Sequence, residues 1–438
     1  MSSTGLREQS IGGARANPGV GAQVSGTSSL LGTGDIRAAF PALRRREGEH
    51  QVAYFDGPGG TQVPRVVADA MSDYLLHHNA NTHWAYPTSV ETDALLAGAR
   101  ETLGDFLGAG AGEISFGANM TTILFHIARA IGRGLQPGDE IIVTELDHHA
   151  NIAPWQALVR ERGAVLKWLP LDLRTFRHEE GALARLMSPR TKVVAVGAAS
   201  NIVGTISDVA AMVAIARAGG AITVVDAVHY APHALVDVAA IGADFLLCSA
   251  YKFYGPHIGV CYGRHEATAA LDLPRLEPAP DYVPECLETG TQNHEGIVGA
   301  AAAVEFLASI ATDAGLSRRE RLRAAFDGLH ARGDVLLAAL WEGLSAIDGV
   351  TLYGPPPGTP RTPTLSFRLR GHTSEAVAQA LAPRGVYVSH GDFYASTVAR
   401  RLGLAEEGLV RAGCSCYSTD EEIMRLVDGV RHLVKETA

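Results

Sequence analysis

Five short β-rich runs, Glu140–Thr144, Val165–Leu169, 192–197, 221–225 and 244–248, recur with helical patterns between most of them, at 121–132, 154–162 and 208–218. Most of these runs are close to continuously apolar rather than alternating, so each must be covered on both faces. Short, doubly covered strands joined by helices form a mostly parallel sheet. The pattern therefore predicts an α/β architecture. It also places function in the loops that leave the carboxyl ends of the strands.

The flanking segments follow other rules. Residues 1–34 hold 8 of the 48 glycines and 6 serines with almost no apolar period, which predicts a flexible tail. Asp35 is a candidate N-cap for a short helical arm, and 51–55 reads as a strand running into the turn-rich loop DGPGG at 56–60. Thr88 and Glu91 have capping-box spacing at the head of an amphipathic helix that extends to about Leu107. After about residue 300 the rhythm changes to a helical stretch reaching about Leu344, strands at 350–353 and 363–369, and a helix near Ser374–Leu381. The expected organisation is a tail over 1–34, a large domain with its N-terminal arm over 35–300, and a small α+β domain over 301–438.

Composition narrows the function classes. Hydrophobic residues make up 47% and charged residues 19%, enough for a large core. The net charge of −10 argues against a nucleic-acid-binding surface, although a local basic pocket for an anion is compatible with it. No run of about 18 apolar residues exists for a membrane span, and the N-terminus lacks a signal-peptide pattern. Five cysteines, an odd and sparse number, fit free thiols in a reducing cytoplasm better than a disulfide framework.

Four segments can carry chemistry. In CSAYKFYGPHIG, 248–259, Lys252 follows an apolar strand among aromatic residues. Burial there lowers a lysine's pKa and makes it an amine able to form a Schiff base; the plain alternative is a solvated lysine at a strand end. In VVDAVH, 224–229, Asp226 ends a buried strand and needs a partner, either a pyridinium nitrogen or a neighbouring cap or arginine. In ELDHHAN, 145–151, the adjacent His148 and His149 diverge and lack accompanying metal ligands, so no metal site is expected; an imidazole stacked on a planar ring is reasonable. In GANMTT, 117–122, a strand-to-helix junction offers backbone N–H groups and hydroxyls to a phosphate. The glycine run at 108–112 does not match a dinucleotide-binding fingerprint and reads as a plain loop.

In this order and spacing, over roughly residues 35 to 435, these segments resemble the class V aminotransferase group of fold-type I pyridoxal-phosphate enzymes, most closely its cysteine desulfurase-like branch. SNIVGT at 200–205, ETGTQN at 288–293 and Val410-Arg411 extend the match. The resemblance implies pyridoxal 5′-phosphate as cofactor, linked to Lys252, with Asp226 on the pyridine nitrogen and His148 stacked on the ring. It implies that Met120 (through its backbone), Thr121 and Ser249 hold the phosphate and that Asn201 lies beside cofactor and substrate. Thr291 would reach the phosphate of a partner subunit, making a homodimer with shared active sites. Arg411 would take the α-carboxylate of an amino-acid substrate, a task suited to a guanidinium fork.

The chain departs from the desulfurase pattern where it matters most. In the loop GVYVSHGDFYA, 385–395, Tyr394 fills the position of the cysteine that would receive sulfur as a persulfide, and Ser389 replaces a nearby arginine. His229 stands for a glutamine near the cofactor's phenolic oxygen, where it either titrates near neutrality or serves only as a hydrogen-bond replacement. Tyr251 replaces the histidine before the lysine. A sulfur-relay role for Cys414 or Cys416 is weighed against buried, inert thiols. Trp84, Tyr86, Phe393 and Tyr394 are candidates to line a roomy substrate pocket, or are plain packing.

The expected activity is β-elimination from a cysteine S-conjugate, a lyase reaction. Decarboxylating or oxidative deamination, epimerisation and transamination of a sulfur-bearing amino acid are the alternatives. A catalytically idle fold that only binds is the reading from a different class.

Overall fold

The computed structural model describes residues 30–436. Its largest sheet has seven strands: β1 (Ile114–Gly117), β2 (Glu140–Thr144), β3 (Val165–Leu169), β4 (Thr191–Gly197), β5 (Ile222–Asp226), β6 (Phe245–Ser249) and β7 (Gly259–Gly263). Their order across the sheet is β1-β7-β6-β5-β4-β2-β3, and every pairing is parallel except the two made by β7. Strands β2, β5 and β6 are almost wholly buried, as doubly covered strands must be. The structure moves the predicted ends of three strands by one residue, and it adds β7, whose glycine-flanked GVCYG run carries little strand signal.

Among the helices that cover this sheet are α1 (Pro87–Leu107), α2 (Met120–Gly134), α3 (Ala153–Arg162), α4 (Val209–Ala218) and α5 (His294–Ser309). Asn119 caps α2 by accepting the N–H of Thr122 at 2.9 Å, and Asp208 caps α4 in the same way through Ala211. Two predicted caps are corrected. Helix α1 begins at Pro87 with Tyr86 before it and no side-chain cap, because proline already supplies the first-turn geometry, so Thr88 and Glu91 form no capping box. The first short helix runs Thr33–Ala38, so Asp35 lies inside its first turn.

A second sheet holds β8 (Val350–Tyr353), β9 (Thr364–Leu369), β10 (Ser389–Gly391) and β11 (Leu409–Gly413), antiparallel in the order β8-β9-β11-β10. It is backed by α7 (Ser374–Leu381) and α8 (Asp420–Glu436). The long helix α6 (Arg318–Ser345) serves both cores: Leu322 and Phe326 join the core of the first sheet, Leu336, Leu340 and Leu344 that of the second. Helix α5 runs continuously through residue 300.

The expected strand over 51–55 is split because its halves meet different partners. His50–Gln51 pairs with Arg46–Glu47, whereas Ala53–Tyr54 pairs in parallel with Val386–Tyr387, taking Ala53 and Phe55 into the second core. Of the expected tail, residues 1–29 lie outside the described residues, and order begins before residue 34: Leu30 bridges Ala311, and the Leu31 N–H donates to Ile310 O at 2.9 Å. No described helix is long and apolar enough to cross a membrane.

Candidate active site

The carboxyl ends of β2, β4, β5 and β6 bring Thr144, Gly197, Asp226 and Ser249 to one edge of the sheet. There Gly197, Asp226 and Ser249 bound a cavity of about 400 Å³ that also takes in Met120, Thr121, His148, Asn201, His229, Tyr251 and Lys252. Nine residues expected at the cofactor from separate motifs thus line one chamber. An adjoining chamber of about 710 Å³ shares His148, Asn201, Tyr251 and Lys252 and is walled by the loop Ser389–Tyr394 and by Arg411.

Lys252 sits one turn past β6 and is buried; its ε-amine donates to the carbonyls of Pro58 and Gly59, at 2.9 Å for Gly59. Burial, with the positive Arg411 nearby, lowers its pKa to about 7 despite the opposing pull of Asp226 and Asp56. Asp226 accepts the Val228 N–H at 2.9 Å but forms no ion pair with a cation side chain among the described residues, and burial raises its pKa to about 6. An amine ready to lose its proton and an acid without a counter-ion therefore face the same cavity.

His148 accepts the Ala150 N–H on Nδ1 at 3.0 Å, which puts the imidazole proton on Nε2. Burial, Lys252 and Arg411 lower its pKa to about 4, so the ring is neutral. The turn that carries it is clamped by Asp147, which accepts Thr144 Oγ1 at 2.6 Å, Gly197 N at 2.9 Å and Asn151 Nδ2 at 2.8 Å. Burial raises Asp147 to about 7, with the Asp226 carboxylate adding to the rise. Only glycine fits at 197, since a Cβ there would lie 2.6 Å from Asp147 Oδ1.

At the opposite end of the cavity α2 begins. Ser249 Oγ accepts the Met120 N–H at 3.0 Å, and Thr121, in the first turn, also faces the chamber. The first N–H groups of a helix have no intrahelical acceptor and favour an anion. Gly259 lets β7 pass this junction, because a Cβ there would approach Asn119 backbone atoms to 2.5 Å.

Other expectations fare differently. His229 is buried with Nε2 3.1 Å from Thr362 Oγ1, and burial pushes its pKa well below the usual value, aided by His233. Tyr251 stacks on His257, with ring centroids 4.8 Å apart. Tyr394 is exposed at the mouth of the outer chamber, its ring 5.5 Å from that of His148. Trp84 is also exposed but lines neither chamber of its own chain, and Tyr86 is likewise outside both. Thr291 does not line the cavity; with Gln292 it lines two other hollows, one of which shares Ala118 with the cavity. All five cysteines are buried, burial raises each thiol's pKa, and none lines either chamber.

The motif reading left three participants without a role. Asp147 lies within the quoted ELDHHAN run, Gly59 within DGPGG, and His257 within the lysine segment. Only Asp147 is next in the chain to a residue with an expected role, His148. Only the packing of separate strand ends shows what each touches.

Comparison with known proteins agrees with this geometry. The sequence profile of the family described as Aminotransferase class-V matches residues 53–426. The chain is 35% identical over 426 residues to "Probable cysteine desulfurase 2" of Mycobacterium leprae, covering 90% of this chain and 95% of that protein. It is 33% identical over 421 residues to "Probable cysteine desulfurase 1" of the same organism, covering 91% of this chain but spanning only 65% of that relative's length. Among solved structures, the apo cysteine desulfurase of Thermococcus onnurineus superposes with a TM-score of 0.84 at 29% identity, covering 93% of this chain and 100% of that one. The cysteine desulfurase CsdA of Escherichia coli gives 0.79 at 27% identity, with the same shares of the two chains covered.

Proposed function

The chain belongs to the class V aminotransferase family, and on that premise we propose that it is a carbon–sulfur lyase acting by β-elimination on S-substituted cysteines. It is cysteine desulfurase-like, and enzymes of this kind use pyridoxal 5′-phosphate. The residues present fit that cofactor. Buried polar atoms without a protein partner, Asn201 Oδ1, His229 Nδ1 and Arg411 Nε, belong to residues that line the two chambers. The donor set is also right: a depressed amine, a buried acid without a counter-ion and a helix N-terminus open to an anion.

In this reading Met120 N, Thr121 and Ser249 would hold the phosphate, His148 would lie on the ring, and Asn201, His229 and Tyr251 would surround it. Asp226 would hold the proton at the ring nitrogen. When bound, the cofactor supplies an electron sink for the charge left at the substrate's Cα. Arg411 binds the α-carboxylate, and Lys252 removes the proton at Cα, a task for which a pKa of about 7 is well matched. The Cβ–S bond then breaks, and its electron pair leaves with sulfur, which is protonated to the thiol. The dehydroalanine that remains takes up water and gives pyruvate and ammonia.

One observation carries the choice of elimination over desulfuration. Tyr394 stands in the loop, no cysteine lines either chamber, and all five thiols are buried, so no nucleophilic thiol is positioned to take the sulfur. The same reading makes the chain a homodimer in which Thr291 serves the partner subunit's phosphate; that Thr291 does not line the cavity of its own chain supports this. The test is product analysis of the purified holoenzyme with S-methylcysteine and bulkier thioethers. Thiol, pyruvate and ammonia in equal amounts are expected. Alanine and sulfide from free cysteine, or an aldehyde with CO₂, would overturn the assignment.

A further inference from the structure

The seat of Arg411 is closed on one face. Its guanidinium carbon lies 4.0 Å from the centroid of the Phe393 ring. Its Nη1 donates to the Asn201 carbonyl at 3.0 Å, and Asn201 Nδ2 donates to the Phe393 carbonyl at 2.9 Å. Arg411, Phe393 and Asn201 therefore form a ring of three contacts, each residue held by the other two. Arg411 makes no ion pair with a carboxylate among the described residues, although it is almost fully buried.

The turn that delivers Phe393 is strained. Phe393 and Tyr394 both have φ of +57°, a left-handed conformation that bulky residues rarely adopt. Such strain persists only where surroundings over-determine it, and it concentrates at ligand clamps. Here the Tyr394 carbonyl accepts the His149 N–H at 2.7 Å, and the Tyr394 N–H is taken by Asp392 Oδ1 at 3.1 Å. The turn is thus tied to the residue beside His148 and, through the Phe393 carbonyl, to the side-chain amide of Asn201.

We propose that Phe393 is a positioning residue for carboxylate recognition: its ring fixes the plane of the Arg411 guanidinium and shields one face from water, so that a monocarboxylate is bound in that plane. A stack on the face leaves the N–H edges for an in-plane acceptor, and exclusion of water strengthens the charge-assisted bonds formed there. The inference rests on the assignment of Arg411 to the substrate carboxylate. It gives the loop a role that needs no thiol: a fixed wall that selects for the amino acid's carboxylate.

The experiment compares two compounds on the holoenzyme by titration calorimetry: 3-(methylthio)propanoate, which has the carboxylate but no amine, and 2-(methylthio)ethylamine, which has the reverse. Phe393→Ala and Phe393→Leu are expected to weaken the carboxylate compound by about 3- to 30-fold, the range of a partly desolvated cation–π contact, and to leave the amine within about 2-fold. Phe393→Tyr retains the ring face and is expected to bind both as wild type does. The leucine and tyrosine variants carry the comparison if the alanine variant does not fold. Equal weakening of both compounds, or carboxylate binding unchanged by loss of the ring, would overturn the role of Phe393. Arg411→Ala separates the two levels. If it abolishes carboxylate binding while the Phe393 variants do not, only the positioning role fails; if it too has no effect, the assignment of Arg411 fails.

Discussion

The ε-amine of Lys252 donates to the carbonyl of Gly59 at 2.9 Å, joining the end of a central strand to a loop nearly two hundred residues earlier in the chain. That loop is packed against both functional cations: a Cβ on Gly59 would stand 3.4 Å from Arg411 Nη2 and 3.1 Å from the Asp56 carbonyl. Lys252 and Arg411 are thus spaced by a residue with no side chain. Gly59→Val is expected to lower kcat/KM by about 10-fold or more, because it pushes Arg411 from its seat at a tight contact. Steady-state kinetics with S-methylcysteine check this.

Lys252 should leave a signature in the stability of the cofactor-free protein. Its amine titrates at about 7 in the folded chain, whereas an unfolded lysine holds its proton to about 10.4. Between those values the unfolded state binds more protons, so the lysine's contribution to stability rises with pH across that window. Lys252→Met removes the cost of a buried charge. Its gain in Tm over wild type is expected to be greatest at and below pH 7 and to shrink toward pH 10. A gap independent of pH would contradict the assigned burial. Lys252→Met should also lose the visible absorbance of the bound cofactor.

Asp226 forms no ion pair with a cation side chain among the described residues, so the cofactor's ring nitrogen is its counter-charge in the proposed complex. Removing one partner of a buried charged pair costs about 3–5 kcal/mol. Asp226→Asn is accordingly expected to lower kcat by at least about 100-fold while the phosphate-binding end of the site still retains cofactor. Single-turnover rates at saturating cofactor measure the effect, and a loss under about 5-fold would speak against this role.

Asp147 should act on His148 at one remove. Asp147→Ala strips the Gly197 N–H and the Asn151 amide of their acceptor, at about 1–3 kcal/mol for each group left unsatisfied. A lower Tm and weaker cofactor retention are expected together. The pH dependence has a definite sign. The folded pKa, raised to about 7, lies above the unfolded value, so the folded state binds more protons between about 4 and 7, and stability from this group falls as pH rises through that window. Asp147→Asn imitates the protonated form, and its deficit against wild type should narrow from pH 5 to pH 8 in thermal melts.

Gly259 tests the anion-binding end independently. A methyl group there would meet the Asn119 backbone, which leads into α2. Gly259→Ala is expected to cost about 1–3 kcal/mol in stability and to weaken cofactor binding more than substrate binding, measured by cofactor titration of the apo-protein.

Much of this site could be read from the chain because its members fall directly after apolar runs. Asp226, Ser249 and Lys252 each end or follow a strand whose hydrophobicity marks it, and such ends share one edge of a parallel sheet. Asn119 could be read as part of a helix start, and the structure makes it the cap. The two misplaced caps, at Thr88 and Asp35, show the limit of that signal: a side chain able to cap does so only where the helix begins there. Trp84 was proposed on aromatic character alone, which says nothing about direction, and it lies outside both chambers.

The sequence by itself determined the parallel sheet, the lysine and acid at its edge, and the absence of a cysteine from the loop that ends at Tyr394, because burial of apolar strands and the identity of a side chain are local facts. Only the tertiary structure decided that Phe393 lies on Arg411, that Asp147 clamps Gly197, and that the strand at Ala53 pairs with Val386–Tyr387. Those are contacts between segments far apart along the chain, and no local pattern encodes them. They arise when separate elements must fill one volume and satisfy one another's buried polar groups.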